Sequence, residues 1–496
     1  MSQSLRLAAV FSDHMVLSRD QNIRIFGEAA QGAHIALTLA GQRAETAARQ
    51  GRFEAVFAPL RAGGPHTLTV TDSVTTLTFS DVMIGDVYLA GGQSNMEMGL
   101  EQSENGPELV KTLNNPMIRY CNFPHVAWPD DDALNRERSM RWKALAPDTC
   151  GDISAVACHF ALNLQPELGV PIGIIGCNWG GTSVVCWMDE RALRETAAGD
   201  RLFLEYSARV AGKTDAQYDA EMKAYDAEFQ AWWSRILKAR ESSPGITGQE
   251  LNETVGPGPW PQPEGRKSGY HPAGLAGTML KRIAPYTLTG FLFYQGEEDT
   301  KHPHVYRTLL TAMIAFWRDV FLDPALPFLF VQLPMFIARG EEDFKNWPPL
   351  RQAQEQVYQD VRNTGLAVLI DCGEFDNIHP RDKKTVGYRL YLQALKVVYR
   401  RDVRADSPRA LSIRREGDSL VIGLSEPVRA TGEAALFELA GEDGVFHPAQ
   451  AKIEGQTLRL LSKAVPAPVS ARYAWVNFGA VRVSGLSGLP LAPFVL

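Results

Sequence analysis

The feature that most constrains this chain is residues 82–96, VMIGDVYLAGGQSNM. A near-continuous apolar run, broken only by Gly85 and Asp86, reads as a strand covered on both faces. Gly91 and Gly92 end it with a tight turn, and Gln93-Ser94-Asn95 suit the first turn of a helix. A serine placed there carries its hydroxyl at the end of a rigid strand, next to backbone N–H groups that can stabilise an oxyanion. Taken alone, the stretch also reads as a glycine turn with Ser94 as an ordinary helix cap.

The surroundings decide between these readings. From about residue 81 to 400, apolar runs at 82–90, 117–123, 172–177, 288–294, 328–333 and 366–371 alternate with helical patterns at 154–168, 305–321, 350–361 and 383–399. That alternation predicts an α/β fold, a parallel sheet with helices on both faces, which binds ligands at the carboxyl ends of its strands. Ser94, the segment 179–182, the segment 295–297 and the segment 376–379 all follow predicted strand ends. The six cysteines form no CxxC pair, so zinc is not expected, and the apolar positions of several predict buried free thiols. No cofactor or metal is implied. A metal-binding role for His302 and His304 is not expected, because KHPH at 301–304 has no convincing carboxylate or cysteine partner nearby in sequence.

At 496 residues the chain exceeds one core. The expected domains are an N-terminal β domain over 1–80, a catalytic domain over 81–400 with a helical insertion at about 190–272, and a C-terminal β region over 401–496. Both ends show short alternating runs of β-sandwich type. Within the insertion, Tyr218, Met222, Tyr225, Phe229, Trp232 and Ile236 recur at helical spacing. This predicts one buried face, with sugar stacking by Trp232 or Trp233 as the alternative. The Pro- and Gly-rich stretch 242–272 reads as a surface loop. A net charge of −7 offers no basic field for nucleic acid or an anionic membrane. No apolar stretch has transmembrane length. The first residues lack a signal-peptide pattern, which implies a cytoplasmic protein or an exported one whose leader is absent from this sequence.

The second chemical cluster is DCGEFDNIHP at 371–380. Pro380 is placed to open a helix, which holds His379 on a short loop. Asp376, three residues before it, can turn back onto the imidazole and fix its tautomer. By the same reading Asp371 lies deeper and Glu374 points to solvent. NWGGT at 178–182 and YQGE at 294–297 offer oxyanion donors, namely a backbone N–H of Gly180 or Gly181 and the Gln295 amide. G-x-S-x-G is not completed around Ser94, which argues against an α/β-hydrolase.

GQSNM at 92–96, NWGGTSVVCWM at 178–188, FYQGEED at 293–299, and IHP with the RDKKTVGYRL that follows it resemble the sialate O-acetylesterase family. That family lies within the SGNH hydrolases, whose catalytic domain is flavodoxin-like, and is related to family 6 carbohydrate esterases. FSDHMVLSRD at 11–20 and GLPLAPF at 488–494 extend the resemblance to both ends. It implies a serine esterase removing O-acetyl groups from a sugar or glycan, with Ser94 as nucleophile, His379 as base, and Asp376 completing a triad, or else a Ser–His dyad. It also implies an oxyanion hole from Ser94, Gly180, Gly181 and Gln295. Gln93, Asn95, Trp179, Glu297 and Arg351 would line the substrate. Two blocks depart from the family. Residues 275–280 read LAGTML where the family has a Tyr-Asn pair, and 296–299 read GEED where it has GESN. The added charge disfavours an anionic sugar unless Arg351 or another cation offsets it. Acetylated xylan or another plant polysaccharide is the alternative substrate, and a non-catalytic glycan-binding protein the alternative class.

Overall fold

The computed structural model describes residues 4–243 and 246–496. The fold is mixed α/β with several β-sheet regions, and it divides into two compact units. The first holds the residues up to 218, with 264–295 and 308–329. The second holds 219–263, 296–307 and 330–496.

The first unit is built on one long strand, Thr76–Gly92. Its opening residues alternate between exposed and half-buried, whereas everything from Val82 on is buried. The apolar run therefore marks only the part covered on both faces. The earlier half pairs antiparallel with Gly63–Thr71, while residues 83–85 pair parallel with Val16–Ser18. The later half lies between two parallel neighbours, Ile172–Asn178 and Gly290–Tyr294. Ile172–Asn178 pairs in turn with Asn115–Asn122, also parallel, and Lys143–Leu145 is an antiparallel neighbour of the latter. The register sets Asn178 and Tyr294 on either side of Gly92. Three parallel strands thus finish level, and Trp179, Gln93 and Gln295 emerge side by side.

Gly92 makes this possible. Its φ is +130°, and a Cβ there would lie 2.1 Å from the Tyr294 carbonyl oxygen. The helix Ala155–Leu168 begins where its pattern predicts, capped by the Ser154 hydroxyl and ended by Gly169 at φ +67°.

In the second unit the strand Thr364–Val368 and the helices Trp347–Asp360 and Lys383–Val397 match the predicted alternation. The last helix opens at Lys383 and not at Pro380, because the Asp382 side chain accepts from the Thr385 N–H at 2.9 Å and caps it. The stretch read as a surface loop over 242–272 contains the helix Gly248–Val255, set by a reciprocal Thr247–Glu250 capping box that outweighs the composition around it. Residues 244 and 245 of that stretch lie outside the described residues. The predicted insertion helix is Asp215–Ser242. Its Tyr225 hydroxyl and Trp232 indole donate to the carbonyls of Pro259 and Gly256, both at 2.9 Å, so these rings pack on neighbouring backbone. Towards the C-terminus, Ala410–Glu416, Ser419–Leu424, Thr457–Leu461 and Gln450–Glu454 form an antiparallel sheet, and Phe446–Pro448, Phe437–Ala440, Ser470–Tyr473 and Phe494–Val495 form another.

Candidate active site

In the first unit, Ser94 opens a one-turn helix, Ser94–Glu97. The cap position belongs to Gln93, in extended conformation, so Ser94 is not the helix cap. The Gln93 N–H donates to the Tyr294 carbonyl at 3.0 Å, which ties the turn to the neighbouring strand. Gln93 and Asn95 are buried on either side of a half-buried Ser94.

Gln295 is 1% exposed, and its amide donates to Gln93 Oε1 at 3.2 Å and to the Thr182 carbonyl at 3.1 Å. A primary amide has two N–H bonds, and both are used. The expectation that Gln295 supplies an oxyanion donor is therefore corrected: its amide braces three strand-end turns against one another.

The glycine pair also separates into two roles. The Gly180 N–H donates to Glu97 Oε2 at 2.5 Å, which removes it as an oxyanion donor. The Gly181 N–H makes no hydrogen bond among the described residues, and Gly181 sits in the left-handed region at φ +73°. A Cβ at Gly180 would lie 3.2 Å from Ser94 Cβ, so this dipeptide runs directly against the serine. Trp179 stacks face to face on His125, centroids 4.4 Å apart and planes 6° from parallel, and His125 Nε2 lies 3.3 Å from Glu97 Oε1. Tyr270 donates from its hydroxyl to the Gly180 carbonyl at 3.0 Å. Sequence reasoning does not find Glu97, His125 or Tyr270. Glu97 alone carries a signal, three residues after the serine on the same short helix.

The second unit carries His379, whose backbone N–H donates to Asn377 Oδ1 at 3.1 Å. Glu374 ties the loop by accepting from Asn377 Nδ2 and from the Arg381 N–H, both at 2.7 Å. It is thus a structural clasp and not a solvent-facing carboxylate. Asp371 is not the deep residue expected: it is exposed and holds Arg389 through two bonds of 2.6 and 2.7 Å.

The expected hydrogen bond from His379 to Asp376 is absent. Asp376 has φ +56°, and its carboxylate accepts from the Arg339 N–H at 2.9 Å, with Arg339 Nε 3.6 Å away. The Asp376 backbone N–H donates to the Ile337 carbonyl at 3.1 Å, so the turn and its carboxylate are both held on the 337–339 segment. Asn252 Nδ2 donates to the Asp376 carbonyl at 2.8 Å and pins the same turn.

Desolvation, with the charge of Lys383 second, lowers the His379 pKa to about 4, so the ring is a neutral base at pH 7. Lys383 is itself buried, which lowers its pKa to about 8 against the opposing pull of Glu297 and Glu374. Glu297 is buried, and its charge is set against Lys383. Arg351 cannot balance acidic charge at a binding surface. It is 0% exposed and donates to the carbonyls of Val476 and, at 3.3 Å, Ala474. Its assignment to the substrate is replaced by a packing role.

With this geometry in view, comparisons place the chain among known proteins. A family model described as a carbohydrate esterase, sialic acid-specific acetylesterase, matches residues 274–394. The chain is 30% identical to a carbohydrate acetylesterase of Xanthomonas citri of known crystal structure, over 99% of each chain and with a TM-score of 0.79. It is 29% identical to the rat sialate O-acetylesterase and 26% identical to the mouse protein, in each case over 79% of this chain and 73% of the relative. The protein is a carboxylic ester hydrolase of the carbohydrate-deacetylating class. Within that class it belongs to the sialate O-acetylesterase family.

Proposed function

We propose that the chain is an SGNH-type serine esterase that removes O-acetyl groups from sialic acid. One observation carries the reading: Gln93-Ser94, Trp179–Thr182 and Gln295 leave three adjacent parallel strands at one level, with Ser94 opening a helical turn. The flavodoxin-like assignment draws support from the same parallel pairing.

Ser94 attacks the acetyl carbonyl. His379, neutral at pH 7, takes the hydroxyl proton and returns it to the departing sugar oxygen. Acetate then leaves when a water, activated by His379, attacks the acetyl-enzyme. The oxyanion is held by the backbone N–H groups of Ser94 and Gly181. Asp376 takes no part in orienting the ring, so the pair acts as a Ser–His dyad. The relatives named sialate O-acetylesterases support the sugar assignment, and the burial of Glu297 opposite Lys383 weakens the electrostatic objection to an anionic substrate.

The test is acetate release from 9-O-acetyl sialic acid, acetylated xylo-oligosaccharides and an aryl acetate, compared by kcat/KM. The first should exceed the second by tenfold or more, roughly the discrimination that 1.4 kcal/mol of transition-state binding provides. The reverse order would move the substrate to plant polysaccharide, and no hydrolysis of any of the three would return the chain to a glycan-binding role.

A further inference from the structure

We infer that Tyr270 is a positioning residue for the oxyanion hole, acting through the Gly180–Gly181 peptide; the inference rests on the esterase reading above. A trans peptide points its carbonyl and its following N–H in opposite directions. Fixing the Gly180 oxygen therefore fixes the direction of the Gly181 N–H. The Tyr270 hydroxyl does this at 3.0 Å.

The dipeptide needs such an anchor. Glycine on both sides of one peptide gives it little intrinsic preference between its two faces. A flip would turn the Gly181 N–H away and present a carbonyl oxygen, which repels the developing negative charge. Two further contacts hold the same segment. The Gly180 N–H is bound by Glu97 Oε2, and Glu97 is steadied by His125, whose ring lies flat on Trp179. Tyr270 also meets Trp179 edge to face, centroids 6.0 Å apart and planes at 69°. Side chains from two separated segments, Tyr270 and Glu97, thus hold one dipeptide lying against Ser94, with His125 behind Glu97, while its one N–H without a bond among the described residues is that of Gly181. The hydrogen bond to the Gly180 carbonyl also polarises the peptide, which strengthens its N–H as a donor.

Tyr270→Phe removes a single oxygen. In the full chain it should lower kcat for an aryl acetate roughly tenfold, less than the hundredfold or more that losing an oxyanion donor costs. KM should stay within about twofold, as expected for an interaction made only in the transition state. Affinity for an arylboronate, which forms a tetrahedral adduct on the serine, should fall by the same factor as kcat/KM. A purely structural role would move the thermal midpoint or KM and leave that correlation absent. Glu97→Met removes the other anchor and should show the same split, so it decides the matter if Tyr270→Phe does not fold. A kcat within twofold of wild type, or a loss that the boronate does not follow, overturns the inference. Labelling wild type with a phosphonate keeps the two levels apart. A modified Ser94 beside a fully active Tyr270→Phe sinks the positioning role alone, whereas an unmodified Ser94 sinks the esterase reading with it.

Discussion

The serine end and the histidine loop are held by different means. Around Ser94 the turn itself is set by backbone, with a strand register, a glycine that admits no side chain and an N–H donated across to the next strand, and side chains such as Gln295 only brace it. Around His379 they are set by side chains. Glu374 clasps Asn377 and Arg381, Asp382 caps a helix, Asp371 grips Arg389, and Asp376 is engaged by Arg339. A backbone-built site is readable from a motif, because only a few residues permit its geometry. A side-chain-built site is not, because any of several carboxylates can take any of several partners.

The sharpest way to break this contrast is Ser94→Ala. If the backbone frame exists to present that hydroxyl, turnover should fall on the order of a millionfold with the thermal midpoint unchanged. A purified variant within tenfold of wild type would remove the reason for the frame.

The second test concerns the histidine. Its pKa of about 4 keeps the ring in its base form well below neutrality. The acid limb of kcat/KM should therefore lie near pH 4, and activity at pH 5 should exceed that of an enzyme with an ordinary histidine by roughly thirtyfold, since the usual value is about 6.5. The sign for stability follows the same shift. Between pH 6.5 and 4 the unfolded chain binds the proton that the folded one refuses, so His379 makes folding less favourable as pH falls through that window. A limb at 6.5 would show an imidazole in ordinary solvation.

Asp376→Asn separates a triad from a dyad. The carboxylate holds Arg339, and an amide oxygen can still accept from the Arg339 N–H, so kcat should fall less than tenfold. Asp376→Ala should instead cost about 1–2 kcal/mol of stability by leaving that N–H unpaired. A loss near ten-thousandfold in the Asn variant would restore the triad.

The smallest effect is expected at Gln295. Replacing it with Ala strips the Thr182 carbonyl and Gln93 of their donor, costing roughly 1–3 kcal/mol of stability, while turnover drops only severalfold. A hundredfold loss of turnover with an unchanged melting point would return Gln295 to the oxyanion hole.

Much of the strand-end frame around Ser94 is legible in the sequence. The buried run at 82–90, the level strand ends and the helix beginning after Ser154 follow from apolar periodicity and capping chemistry, which are local. The rest depends on long-range choice. Three-residue spacing allows Asp376 to reach His379, but its bonds to the 337–339 segment decide otherwise. Arg351 reads as a cation for the substrate, yet it satisfies carbonyls more than a hundred residues away. Tyr270 and His125 sit in no motif, and only the folded arrangement shows that they converge on Gly180 and Glu97. The helix Gly248–Val255 has its signal in the capping-box spacing of Thr247 and Glu250, but the surrounding Pro and Gly obscure it.

If the strand end serves to make Ser94 a nucleophile, the acetyl group passes through that serine during turnover. Acid-quenching the enzyme during turnover of an aryl acetate and mapping its peptides tests this directly. The expected result is an acetyl group on the peptide carrying Ser94, absent from Ser94→Ala and accumulating when deacylation is slow. An active enzyme whose acetyl group sits on another residue would contradict it.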